Sequence, residues 1–360
     1  MIIKSLELQN FRNYGTLQLT FDSGTNIFYG DNAQGKTNIL EAIFMTATTR
    51  SHKGSKDQDI IRFGYDEAHI RSYLFKEEIT RQIDMHLRKG KTKGIAIDSQ
   101  RIKKAAELMG LLNVVFFSPE DLSIIKNGPA ERRHFIDMEL CQLDSFYLYN
   151  LNHYNKIVNQ RNKLLKDLYL NPGLRETLSI WDSQLASFGS KLIERREIFI
   201  SQLDDILGKL HTKLSGGKEK IEIIYEKNTE IDELEDKLKI NQEKDILLKQ
   251  TTVGPHRDDI RFMVNDIDIR KFGSQGQQRT AALSLKLSEI ELVKKSIKDT
   301  PVLLLDDVLS ELDSNRQNYL LNSIGDIQTI ITCTGLDEFV KNRFEINKVF
   351  KVVDGSVESK

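Results

Sequence analysis

The sequence predicts an α/β protein: a P-loop ATPase head with an antiparallel β-subdomain, carrying a helical hairpin arm. Three observations predict it. Gly30-Asp31-Asn32-Ala33-Gln34-Gly35-Lys36-Thr37 fits the spacing G-x-x-x-x-G-K-[ST], between an apolar segment and a helix-like one. Pro301-Val302-Leu303-Leu304-Leu305 is an uninterrupted apolar strand ending in Asp306 and Asp307. Between these two regions lie two stretches with apolar residues at helical spacing, joined by Asn171-Pro172-Gly173.

Composition bounds the class. At 360 residues the chain holds two or three domains. Charged residues make up 29% and the mean hydropathy is −0.40, which points to a soluble globular protein. No apolar run approaches the ~18 residues of a membrane helix. Met1-Ile2-Ile3-Lys4-Ser5-Leu6-Glu7 alternates like a strand and lacks a signal-peptide pattern, so a cytoplasmic protein without membrane attachment is expected. Cys141 and Cys333 stand far apart without metal-ligand spacing and read as core thiols of a reducing compartment. The net charge of −1 gives no general basic field, so any nucleic-acid surface must be a local patch.

Residues 6–8 and 17–21 alternate with period two and read as antiparallel strands. Arg12 lies between them, within Asn10-Phe11-Arg12-Asn13-Tyr14. It is either a surface turn residue or a nucleotide contact, and its place at a strand end before the phosphate loop favours the contact. Asn26-Ile27-Phe28-Tyr29 suits a buried strand and residues 38–43 a helix. In the loop between, Gly30 and Gly35 let successive N–H groups converge on one anion, with Asp31, Asn32, Ala33 and Gln34 forming the curl. The helix N-terminus adds its positive dipole end. Lys36 supplies a point charge for the β- and γ-phosphates of ATP, and the Thr37 hydroxyl is placed to ligate Mg²⁺. The loop Arg50-Ser51-His52-Lys53 that follows carries no assignment.

Strand-like segments run over 70–75, 82–87 and 95–97. From Arg88 to Lys104 seven Lys or Arg face one acid, Asp98, which makes either a solvated face or a contact for the DNA backbone. Residues 114–117 read as a buried strand and Ser118-Pro119-Glu120-Asp121-Leu122 as a helix opening. A first apolar stripe runs through Leu140, Leu143, Tyr147, Leu151, Tyr154, Val158, Leu165 and Leu168, interrupted near Arg161. A second runs through Leu178, Trp181, Leu185, Phe188, Leu192, Phe199, Ile206 and Leu210. They read as an antiparallel hairpin with arms of roughly 45–55 Å. Residues 221–225 suit a strand, and 227–244 an exposed, charge-dense helix.

Thr251-Thr252-Val253-Gly254-Pro255-His256-Arg257-Asp258-Asp259 packs a turn, a base and two acids into one short run, ahead of a strand pair (260–264 and 267–269) turning at Asn265-Asp266. Ser274 with Gln277 makes a capping box before the helix 280–295, and Gly276 permits close backbone approach. Ser274, Gln275, Gly276, Gln277 and Gln278 therefore form either a second anion site or an ordinary capped helix start. Asp306 stands where a Mg²⁺ shell needs a carboxylate, and Asp307 where an attacking water needs a base. Residues 329–334 suit one more buried strand, with Thr332 or Thr334 near the γ-phosphate, and 350–353 a last edge strand.

Together the Asn10–Tyr14 run, the phosphate loop, the Ser274–Gln278 segment and the Leu-Leu-Leu-Asp-Asp strand resemble an ABC-type ATPase of the SMC class. The arm is too short for an SMC protein itself. Chain length, Phe117-Ser118-Pro119-Glu120-Asp121-Leu122, the Gly254–Asp259 hexapeptide and Gly273-Ser274-Gln275-Gly276-Gln277-Gln278-Arg279 are similar to the bacterial RecF family over essentially the whole chain. The resemblance implies an ABC-type head from 1–120 and 250–360 and a helical arm over 121–249. It implies ATP held with Mg²⁺ by Gly30 to Thr37, and a homodimer in which ATP lies between one subunit's loop and the other's Ser274–Gln278. It further implies binding to double-stranded DNA, junctions with single strands included, and action with RecR and RecO to load RecA in recombinational repair, replication and the SOS response. Asp306 matches the metal-binding carboxylate. Asp307 stands where many ABC ATPases have glutamate, and its shorter side chain implies slow, DNA-dependent hydrolysis. Two other readings compete: the ATPase subunit of an ABC transporter, whose usual signature is Leu-Ser-Gly-Gly-Gln, and an ATP-locked protein scaffold without DNA contact.

Overall fold

The computed structural model describes residues 1–168, 170–335 and 346–359. The chain forms two compact units, Met1–Asp121 with Lys286–Lys360, and Leu122–Leu285.

The first unit is built on a mostly parallel sheet. Its strand order is Ser356–Ser359, Ile346–Val353, Thr25–Tyr29, Thr329–Cys333, Val302–Asp306 and Val114–Phe117. Neighbours run parallel except at the Ser356–Ser359 edge, which pairs antiparallel with Ile346–Val353. Central strands of such a sheet are covered on both faces, so their sequences read as unbroken apolar runs. Val302, Leu303, Leu304 and Leu305 are accordingly all buried. The last sequence-predicted edge strand, 350–353, is instead an inner one, flanked by Thr25–Tyr29 and by Ser356–Ser359.

The second sheet of this unit is antiparallel, in the order Tyr14–Thr20, Ile2–Phe11, Glu67–Lys76, Ile79–Arg88, Gly94–Ile97, Gln100–Arg101. The helix Lys36–Thr48 touches strands of both sheets. That position explains a helix apolar nearly all round: Ile39 through Thr48 are buried without a break.

The second unit holds the arm. Its longest helix, Leu178–Leu214, has 37 residues and spans about 55 Å, as expected. The first stripe is divided between two helices, Pro129–Leu143 and Ser145–Asp167. The break is at Asp144, whose extended backbone and carboxylate, accepting from the N–H groups of Phe146 and Tyr147, start the second helix afresh. That helix, of 23 residues, reaches only about 35 Å.

Arg161, where the stripe lapses, does not interrupt the helix. Its guanidinium is fully buried and donates from Nε to Asp182 (2.7 Å) and from Nη1 to Asp245 (2.7 Å) and Thr251 (3.0 Å). Gln242 and Thr252 satisfy the remaining carboxylate oxygens. The expected helix over 227–244 is two short ones, Leu234–Ile240 and Gln242–Leu248, and the second supplies Asp245. The strand Asp259–Val264 pairs antiparallel with Ile221–Glu226 and turns through Asn265 and Asp266, both at positive φ. That pairing groups 250–285, the Ser274–Gln278 segment included, with the arm unit rather than with the head.

Arg161→Ala leaves two buried carboxylates with no cation. The expected loss is about 3–5 kcal/mol in urea unfolding, the range for breaking a buried pair from one side.

Candidate nucleotide site

The phosphate loop begins where Thr25–Tyr29 ends. Gly30 has φ +152°, and a Cβ there would lie 2.3 Å from the Val352 carbonyl oxygen; Gly35 has φ +113°, and a Cβ would lie 2.4 Å from the Asn13 amide. Both positions therefore demand glycine on conformation and on space. The curl is held from outside. Asn13 Nδ2 donates to the Gln34 carbonyl (3.0 Å), Tyr14 O–H to that of Gly35 (3.1 Å), and the Asp354 N–H to Gln34 Oε1 (2.5 Å).

The helix that follows starts with no side-chain cap and no acid in its first turn. A helix start left so bare keeps its first-turn amides for an anion. Lys36 Nζ folds back onto the loop carbonyls of Gly30 (2.5 Å) and Asp31 (2.8 Å), centred in the curl. Asp31, Asn32 and Ala33 stand exposed at its rim.

Parallel pairing brings the second half of the site alongside. Asp306 is in register with Thr332, and Cys333 with Tyr29. Asp306 Oδ1 accepts from the hydroxyls of Thr37 (2.8 Å) and Thr332 (2.7 Å). The sequence left Thr332 and Thr334 as alternatives, and Thr332 is the one that reaches Asp306. Among the described residues no group of three His, Cys, Asp or Glu side chains could hold a metal. One carboxylate and one hydroxyl nevertheless suit Mg²⁺, which keeps waters and takes phosphate oxygens as its other ligands. Asp307, next in the chain, has φ +56°, and its N–H donates to Thr332 Oγ1 at 3.0 Å. Asp is among the few residues that adopt this conformation readily.

Arg12, the expected nucleotide contact, is anchored to the phosphate-loop helix. Its guanidinium forms a two-pronged ion pair with Glu41 (2.8 and 2.6 Å) and donates to Ser55 and to the Asp59 carbonyl. Glu41 is 0% exposed on the phosphate-loop helix and also accepts from Ser51 (2.5 Å). Burial alone would raise its pKa, but the hydrogen bonds from Arg12 and Ser51 outweigh burial and hold it below the ordinary value. Sequence reasoning missed Glu41; its signal was an acid inside Asn38-Ile39-Leu40-Glu41-Ala42-Ile43-Phe44. His52, in the unassigned loop, stacks on Phe116 (4.1 Å between centroids, 28°), and burial pushes its pKa down to about 4, leaving it neutral at pH 7.

The Ser274–Gln278 segment forms the expected capping box. Ser274 N–H donates to Gln277 Oε1 (3.0 Å) and Gln277 N–H to Ser274 Oγ (3.2 Å). The Ser274 O–H itself donates to no described group. A Cβ on Gly276 would meet only Ser274 Oγ, at 3.9 Å, so the backbone there is open to approach. Gln275 is exposed, whereas Gln278 is buried and donates to the Ile269 carbonyl (2.8 Å), a packing role.

The family model of the RecF/RecN/SMC N terminal domain matches residues 2–358. The chain is 63% identical, over 358 residues and 99% of both chains, to the DNA replication and repair protein RecF of Agathobacter rectalis. The chain belongs to the RecF family. A solved structure of the recombination mediator protein RecF-ATP in the RecFOR pathway superposes with a TM-score of 0.93, at 36% identity, covering 99% of this chain and 97% of that one. An SMC head bound to the C-terminal winged-helix domain of ScpA matches at TM-score 0.59 and 17% identity, covering 100% of this chain and 97% of that one; this shows a shared fold alone. RecF-family membership places the chain among DNA replication and repair proteins with the α/β ATPase-head fold. Among the described residues no helix is long and apolar enough to cross a membrane.

Arg12→Ala leaves Glu41 buried without its cation and should cost about 3 kcal/mol at pH 7, the low end for such pairs. In the parent, the lowered folded pKa contributes stability above the unfolded value of about 4.3, lost as pH falls through the folded value. The difference between parent and variant should therefore be largest near neutrality and shrink below about pH 4. Urea unfolding across pH, without nucleotide, measures it.

Proposed function

We propose that this RecF-family chain is an ATP-dependent switch acting on double-stranded DNA in replication and recombinational repair. The observation that carries it is the Thr37–Asp306 hydrogen bond. It joins the phosphate loop near one end of the chain to the carboxylate strand near the other. In this reading Lys36 leaves its two carbonyls for the phosphates of ATP, while Thr37 and Asp306 hold Mg²⁺. Mg²⁺ supplies the charge that bridges those phosphates. The Ser274 hydroxyl and the first-turn amides beside it close on the nucleotide of a second copy, giving an isologous homodimer. Asp307 orients the attacking water, and its short side chain makes hydrolysis a slow reset.

The DNA contact is proposed for Lys91, Arg101, Lys103 and Lys104, which stand exposed. Lys93 is a poorer candidate, because its ammonium donates to the Thr49 carbonyl (2.5 Å) and Asp57 (2.7 Å). RecR, RecO and the loading of RecA at gaps belong to the same reading, supported by the structural match to RecF of the RecFOR pathway. So does a cytoplasmic setting. The match and the 63% identity support a repair role over a transporter subunit, and salt-sensitive DNA binding would speak against a protein scaffold.

Solution mass tests the switch. The parent should dimerise with a non-hydrolysable ATP analogue and not with ADP. Lys36→Ala should lose nucleotide binding and dimerisation together, and Ser274→Arg should bind nucleotide yet stay monomeric. A Ser274→Arg dimer of normal stability would refute the shared site. Separately, Asp307→Glu should raise steady-state ATP turnover; unchanged or lower turnover would remove Asp307 from the role of base.

A further inference from the structure

The Gly254–Asp259 hexapeptide has no part in the nucleotide site, yet it organises an unusual gathering of charge in the arm unit. Four arginines meet there. Arg132 pairs with Asp259 (2.6 Å), and the fully buried Arg196 pairs with Asp137 (2.8 Å) and Asp258 (3.3 Å). Among the described residues the other two form no ion pair. Arg257 donates to the Thr251 carbonyl and Gln250, and Arg133 makes one hydrogen bond, from Nη1 to the Asp258 carbonyl (2.6 Å). A half-buried guanidinium with one carbonyl partner keeps most of its donors unfilled, an expensive state without an acceptor.

Arg133 lines a pocket of about 250 Å³ together with His134, Asp137, Asn155, Arg196 and His256. The His134 ring and the Asn155 amide bond no described group. Arg196 is held rigidly by Tyr147, Asp137 and the Pro255 carbonyl. His256 is locked as well: its ring bonds Tyr154 O–H (2.7 Å) and the Thr251 carbonyl (3.0 Å), and burial pushes its pKa down to about 4. The pocket's positive charge therefore comes from arginine. Asp137 is paired with Arg196 through Oδ1, and its Oδ2 accepts from no described group, so it can accept a hydrogen bond from the P–OH of a monoanionic phosphate. Burial and then the neighbouring Arg196 push the Arg133 pKa down, and outweigh the opposing pull of Asp259, Asp137 and Asp258, none of whose carboxylates bonds it.

We propose that this pocket is a phosphate site, in which the Arg133 fork grips the oxyanion while His134 and Asn155 close on it from the rim. The phosphate is either free, as inorganic phosphate or a small monoester, or a phosphate of a DNA strand. The assignment does not depend on the nucleotide reading above.

Equilibrium dialysis of inorganic phosphate against the full chain tests it, in a Lys36→Ala background so that the phosphate loop does not contribute. The background protein should bind one phosphate at millimolar concentration. Adding Arg133→Gln should weaken binding at least about tenfold, with Arg133→Lys intermediate because it keeps charge but loses the fork. His134→Ala, at an exposed position that does not threaten folding, should weaken it severalfold; circular dichroism confirms that each variant is folded. Equal phosphate binding by folded Arg133→Gln, or none by the background protein, overturns the proposal. The source follows from duplex DNA titrations with Lys36 intact. If Arg133→Gln also lowers the slope of log affinity against log salt by about one, the site takes a strand phosphate. An unchanged slope, with phosphate binding lost, assigns it to a free phosphate.

Discussion

The Asp306 carboxylate depends on a register, and most of the head depends on the same register. Val302–Asp306, Thr329–Cys333 and Thr25–Tyr29 lie side by side and parallel, so their C-terminal ends finish at one edge of the sheet. A carboxylate, a threonine hydroxyl and a phosphate loop from three distant parts of the chain then arrive within hydrogen-bonding distance. Parallel strands require long crossover connections, and one such connection here leaves room for the entire arm unit. The insertion is tolerated because the sheet's register is set by buried apolar side chains on the strands, not by what joins them.

Buried charge supplies the second level of order. Glu41 in the head and Asp182 and Asp245 in the arm are fully sealed from water, and each is answered by an arginine with bidentate or bridging geometry. Such pairs are weak sources of net stability but strict about geometry, since a displaced partner leaves a naked charge. Arg12 and Ser51, both on Glu41, thus fix the turn before the phosphate loop and the loop after its helix relative to one another. Arg161 ties both long arm helices to the short helix Gln242–Leu248. The hexapeptide region follows the same logic for Arg132 and Arg196, while Arg257 and Arg133 bond carbonyl and amide oxygens instead, and of these two Arg133 lines the pocket.

Much of the site was legible because it is written in local sequence. The loop spacing, the glycines at positive φ, the Ser274–Gln277 capping box and the apolar strand ending in Asp306 each depend on residues a few positions apart. The long helix Leu178–Leu214 was legible for the same reason, its stripe being unbroken at helical period. The first stripe misled, because helical periodicity continues across Asp144 while the backbone does not; the cap, not the apolar pattern, decides where a helix starts.

The sequence by itself determined the presence of a glycine-framed loop at a helix start, an apolar strand ending in a carboxylate and a capped helix start, since backbone conformation and strand patterning are short-range consequences of residue type. Tertiary structure alone decided what polar side chains do once buried. A charge in an apolar run, such as Glu41 or Arg161, must find its partner wherever the fold supplies one, 29 residues away for Arg12 and Glu41 and 84 for Arg161 and Asp245. Pattern reasoning sees only the lapse in hydrophobicity. The partner is chosen by packing, because only packing determines which two desolvated charges share the same few ångströms.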